Sequence, residues 1–150
     1  MFNHKNILKL STFYSPRLWG GQKLLSYGFD IPKDEKIGEA WVISALDNGM
    51  DYVLEGKYAK MSLKDVYEKH NKEVFKDNQK VFPLLSKLIT AEDFLSVQVH
   101  PDDEYALKNE HCFGKPECWY ILDAPANAEI IYGHNAKDHQ ELESMVNNHQ

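Results

Sequence analysis

Six short stretches of this chain carry strand patterning, and no regular alternation of helices separates them. They are residues 40–46, 51–55, 81–89, 94–99, 118–122 and 128–132. The plainest reads Phe-Leu-Ser-Val-Gln-Val at 94–99. There Leu95, Val97 and Val99 alternate with Ser96, Gln98 and, one step further, His100. Successive strand side chains point to opposite faces, so one face packs and the other carries a hydroxyl, an amide and an imidazole. Pro101 then turns the chain. Strands without crossover helices argue against a doubly wound parallel sheet. The pattern predicts a mainly β chain with helices at its margins, arranged as an antiparallel sandwich or barrel.

The helical signals are local. Leu63, Val66, Tyr67, His70 and Val74 recur at helical spacing behind Ser62, with Asp65 in a capping-box-like position, which predicts a helix over 63–76. Asp102 or Asp103 caps a short helix reaching Asn109. Asp138 caps a last one, with Leu142, Met145 and Val146 on one side. Residues 16–39, punctuated by Pro16, Gly20, Gly21, Gly28, Pro32 and Gly38, read as loop-rich, and Asn48-Gly49 as a turn.

Composition removes several functions. A chain of 150 residues is enough for one domain with a real core. A formal charge of −6, with no basic stretch to offset it, argues against a nucleic-acid partner. It leaves room for a phosphorylated substrate, since a few lysines can hold one phosphate. No window has the apolar length needed to cross a bilayer. The run from Ile7 to Leu10 is broken by Lys9 and is too short for a signal peptide. Two cysteines make no disulfide framework. The expectation is a cytoplasmic protein with reduced thiols and no membrane partner. No glycine-rich phosphate loop supports a nucleotide cofactor.

Gln98 and His100, two apart on a strand, project the same way about 7 Å apart. Glu117 opens a later strand, and Lys115 shares its parity. Zinc accepts imidazole nitrogen and carboxylate oxygen at about 2.0–2.2 Å, and a mixed ligand set suits a catalytic rather than a structural ion. Taken alone, the Gln-Val-His pair better describes a half-exposed strand whose polar face meets water. His111, Cys112 and Cys118 offer a rival metal set, but their spacing fits no standard zinc knuckle, and Cys118 reads as a small buried hydrophobe. His4, His134, His139 and His149 are scattered, and His70 reads as a packing residue. Trp41 and Trp119 read as core; Trp19, beside Gly20-Gly21, is the tryptophan placed to line a pocket.

Taken together and in order, RLWGG (17–21), IGEAWVIS (37–44), FPLLSKLI (82–89), LSVQVHPDDEYA (95–106), GKPECWYIL (114–122) and AEIIYGH (128–134) resemble the N-terminal part of type I mannose-6-phosphate isomerases in their short bacterial form. The resemblance implies a cupin jelly roll. It implies interconversion of mannose 6-phosphate and fructose 6-phosphate through an enediol, with one zinc ion. Position by position, Gln98, His100 and Glu117 match three zinc ligands. Ser96, Lys87 and Lys115 match residues lining the sugar-phosphate pocket, and Trp19 an aromatic there; Lys115 and Lys87 are the candidate catalytic groups. Pro116 stands between Lys115 and Glu117 and stiffens the approach to the strand. Lys87 shares the parity of Leu85 and Ile89, so its ammonium needs an open cavity or a partner, which a phosphate or a zinc-bound oxygen would supply.

The family runs beyond this chain. A fourth zinc ligand, a histidine, and a helpful arginine are expected in that further part. None of His134, His139 and His149 sits in the matching motif. Residues 1–150 are therefore expected to be the N-terminal portion of a single cupin-type domain. Such a fragment would bind zinc weakly, turn over little substrate, and be prone to self-association through an open edge. The rival reading is a non-enzymatic cupin-like module that binds a sugar or a metal. A purely structural protein would bind no metal at all.

Overall fold

A computed structural model describes residues 7–149; His4 lies outside them. The chain forms two compact bodies, one through Leu95 and one from Ser96. The first body runs β1 (Phe13–Gly21), a 3-10 turn (Lys23–Tyr27), β2 (Ile37–Ile43), β3 (Ala45–Leu46), β4 (Gly49–Met50), α1 (Leu63–Val74) and β5 (Ser86–Ile89). Its sheet is antiparallel, in the order β1-β2-β5, and β3-β4 is a separate hairpin.

The central strand β2 buries its first five residues, and Ile37 and Ala40 pack with Leu24 and Ile31. β1 occupies part of the stretch expected to be loop. Its glycines and Pro16 are loop punctuation by composition, but β1 is an edge strand. A proline there removes no ladder bond that a second neighbour needs, and the register with β2 shifts on either side of Pro16. Trp19 lies so close over β2 that a Cβ on Gly38 would sit 2.5 Å from its indole.

The strand expected over 40–46 divides at Ser44. The Asp51 carboxylate accepts the Ser44 N–H at 2.8 Å, and Asp51 N–H donates back to the Ser44 carbonyl at 3.0 Å, so this pairing closes the hairpin. Residues 51–55 form only isolated bridges, Leu10↔Val53 and Tyr52↔Ser62. Within 81–89 only β5 is paired; Pro83 lacks the donor a longer strand would use.

α1 begins where its cap predicts, with Ser62 Oγ accepting the Asp65 N–H at 2.9 Å. It packs Val66 against Val53 and Tyr58. It ends at Val74, two residues early, and its φ/ψ regularity already breaks at His70. The His70 ring lies 4.7 Å from Tyr58, a packing role as read from the sequence.

The second body holds α2 (Asp103–Asn109) and α3 (His139–Asn147), capped by Asp102 and Asp138. The strand-patterned stretches 94–99, 118–122 and 128–132 have no paired strand among the described residues. Alternation records which face should be buried, but a ladder also needs a neighbour. Without one, Val99, Tyr120 and Tyr132 stand 93, 87 and 95% exposed. Cys118 is exposed for the same reason, which corrects its reading as a buried hydrophobe. Among the described residues no helix is long and apolar enough to cross a membrane.

Candidate functional site

In the second body the chain leaves His100, turns at Pro101, makes α2 and comes back at Gly114. The return is held by backbone. Gly114 N–H donates to the Asp103 carboxylate at 2.8 Å. A Cβ at Gly114 would meet the Asp102 carbonyl carbon at 2.6 Å, so only glycine fits this approach. The effect is to bring residues 115–117 beside residue 100.

Three side chains converge there. His100 Nε2 lies 3.4 Å from Glu117 Oε2, and the Lys115 ammonium lies 3.2 Å from each of those two atoms. The Trp119 indole N–H donates to the other Glu117 oxygen at 3.3 Å. Lys115 and Glu117 share a side of the chain, as their parity predicts. Gln98 is in a separate contact: its amide nitrogen donates to Ser96 Oγ at 3.0 Å. That agrees with the shared parity of Ser96 and Gln98.

Partial burial works against ionisation of Glu117. The Lys115 hydrogen bond and charge, the His100 ring and the Trp119 N–H outweigh it, so the carboxyl lies below its usual range. The group is thus an anion at neutral pH. Two donors on one tetrahedral zinc, each about 2.0–2.1 Å away, lie about 3.3 Å apart. The 3.4 Å between the imidazole nitrogen and the carboxylate oxygen suits a shared divalent cation once the Lys115 ammonium, now 3.2 Å from both atoms, moves aside. The donor types suit it as well. Among the described residues no three His, Cys, Asp or Glu side chains gather as a metal set. His111, Cys112 and Cys118 form no such group.

The first body carries the other candidates. Lys87 already has a partner, Glu39 Oε2 at 3.1 Å, and its ammonium sits 4.6 Å over the Trp41 ring. Register explains this, because Lys87 pairs with Trp41 across the β2–β5 ladder. The expectation that a ligand must supply the partner is corrected: the carboxylate is internal. Arg17 makes a two-point contact with Glu39 at 3.1 and 3.2 Å, and the Trp41 indole donates to it at 2.7 Å. Burial disfavours the Glu39 carboxylate, but its contacts from Trp41, Lys87 and Arg17 more than offset this and hold its pKa below the ordinary value. Trp19 is buried, stacked on β2 near Gly38. Arg17, Glu39 and Trp119 were missed as candidates. One signal was available for Glu39: a charge inside an otherwise apolar central strand must be paired.

Residues 7–144 match the family described as phosphomannose isomerase type I, catalytic domain. The mannose-6-phosphate isomerase of Streptococcus mutans is 47% identical over 131 residues, 87% of this chain and 41% of the relative. The mannose-6-phosphate isomerase ManA of Bacillus subtilis is 43% identical over 134 residues, 89% of this chain and 42% of the relative. The crystal structure of the mannose 6-phosphate isomerase from Bacillus subtilis superposes with a TM-score of 0.88 at 41% identity, covering 95% of this chain and 46% of that one. The chain thus spans a little over two fifths of the length of the relatives it matches.

Proposed function

Because the chain belongs to the type I phosphomannose isomerase family, we propose that it supplies the metal-holding part of a site that interconverts mannose 6-phosphate and fructose 6-phosphate. The fold it contributes is part of a cupin-type jelly roll. The observation that carries the reading is the convergence of His100, Lys115 and Glu117 within 3.4 Å on segments that carry the family's motifs.

His100, Glu117 and Gln98 would hold one zinc ion. When bound, the ion would supply positive charge that stabilises oxygen as it becomes anionic. The isomerisation moves a proton from C2 of the aldose to C1, while the carbonyl moves from C1 to C2 through an enediol. Glu117, held as an anion beside two cationic or ligating groups, keeps a negative donor for the metal at neutral pH. The Lys115 ammonium, already poised between imidazole and carboxylate, offers a second positive charge to the sugar oxygens. Ser96 orients the Gln98 amide and presents a hydroxyl. Lys87 and Trp19 are proposed for sugar-phosphate contacts. Lys87 is held for that purpose beside Glu39 and over the Trp41 face.

A chimera tests this. The matched portion of the Bacillus subtilis enzyme is replaced by this chain, and mannose 6-phosphate turnover is followed in a coupled assay with zinc. The chimera should be active. Glu117→Gln and Lys115→Met in it should each lower kcat/KM by about 100-fold or more. A folded chimera without turnover, or one indifferent to both substitutions, would overturn the reading.

A further inference from the structure

The two carboxylate oxygens of Glu117 have different neighbours. Oε2 lies 3.4 Å from His100 Nε2 and 3.2 Å from the Lys115 ammonium. Oε1 accepts the Trp119 indole N–H at 3.3 Å. The last torsion of a glutamate is soft, so a carboxylate left to itself can turn either oxygen, or both, toward a cation. A donor on Oε1 removes that freedom and leaves Oε2 on the His100 side. Trp119 is 48% exposed, which departs from the core role its residue type suggests, so burial of the ring does not by itself account for a tryptophan here. Its chemistry does. An indole has one donor and no acceptor: it can hold a carboxylate oxygen but cannot ligate a metal. It is also uncharged, so unlike Lys115 it does not repel an arriving cation.

We propose that Trp119 is a positioning residue of the metal site: its indole N–H pins Glu117 Oε1, so that Oε2 alone is offered beside His100. The inference deepens the proposed function and rests on it, because the contact acts this way only if Glu117 is a ligand. Outer partners of this kind fix the orientation of the ligating group, and losing one costs about 10–100-fold in metal affinity or activity. Trp119 touches neither substrate nor ion in this scheme; it works through Glu117.

The test is calorimetric titration of zinc into the 150-residue chain carrying Trp119→Phe, which keeps a ring and loses the donor, or Trp119→Leu, which loses both. Each should raise the zinc Kd about tenfold or more, with the urea midpoint unchanged from the parent. Leu18→Lys, a substitution at a 93% exposed residue of the first body, should bind zinc as the parent does. In the chimera at limiting zinc, Trp119→Phe should lower mannose 6-phosphate turnover, and saturating zinc should restore most of it. A folding defect or a lost substrate contact would show no such rescue. Parent-like affinity in Trp119→Phe, affinity that falls only in step with the urea midpoint, or a turnover loss that zinc does not restore would overturn this inference and leave the proposed function standing. Zinc uptake by the parent that is indifferent to Glu117→Gln would overturn the reading of the site, and this inference with it.

Discussion

Replacing Glu39 with glutamine keeps shape and removes one charge from the centre of β2. Its side chain is 9% exposed and accepts from Arg17, Lys87 and Trp41, while Lys87 is itself only 17% exposed. Removing one partner of a buried pair costs about 3–5 kcal/mol, because the other charge stays buried. Arg17, 37% exposed, can turn to water, and the glutamine oxygen still accepts the Trp41 N–H. The loss should therefore lie near the lower end, about 3 kcal/mol. For a chain of this size that lowers the thermal midpoint by about 6–12 °C. The assay is urea unfolding of the parent and Glu39→Gln at pH 7, followed by tryptophan fluorescence. The pH dependence has a fixed sign. The folded pKa of Glu39 is depressed, so its contribution is present above the ordinary value of 4.5 and is lost as pH falls through the folded value. The gap between parent and variant should narrow in acid. Adding Lys87→Met to Glu39→Gln should recover at least half of the loss, since the orphaned ammonium goes with it. A Glu39→Gln protein within 0.5 kcal/mol of the parent, or a double variant no more stable than the single one, would refute the reasoning.

Asp51 should behave oppositely. Its carboxyl is fully buried with one oxygen unpartnered, and burial pushes its pKa up to about 6 despite N–H donors from Ser44 and Phe13. Its folded state keeps a proton that the unfolded chain loses from about 3.8, so stability falls as pH rises between those values and stays lower above 6. Asp51→Asn should flatten that slope in urea titrations and gain on the order of 2 kcal/mol at pH 7.5; an unchanged slope would count against it. Gly38→Ala should destabilise by about 1–3 kcal/mol, because its Cβ would press on the Trp19 ring; a neutral result in the same assay would mean the ring can give way.

The parts of the fold legible in the sequence are those whose causes are local. Ser62, Asp102 and Asp138 each bond an N–H three residues on, and a cap followed by helical spacing is readable within one window. β1 was hidden because Pro16 and Gly20-Gly21 signal a loop unless one knows that the strand lies at an edge. The unpaired stretches after Leu95 show the converse: alternation was present, but its pairing partner is not among the described residues. The closeness of His100 and Glu117 depends on α2 and the return at Gly114. Residue types alone offered Glu117 as a companion to Gln98 and His100 but left the set ambiguous, and the resemblance was what singled it out. The Lys87–Glu39 pair spans 48 residues and follows from register, which no local pattern specifies.

The account turns on His100 and Glu117 sharing one divalent cation. Calorimetric titration of zinc into the 150-residue chain at pH 7.5 tests this most directly. The prediction is weak, saturable uptake of one ion per chain, abolished by His100→Ala and by Glu117→Gln but retained in Leu18→Lys. Uptake of one ion that survives both site substitutions, or no saturable uptake by the parent, would contradict it.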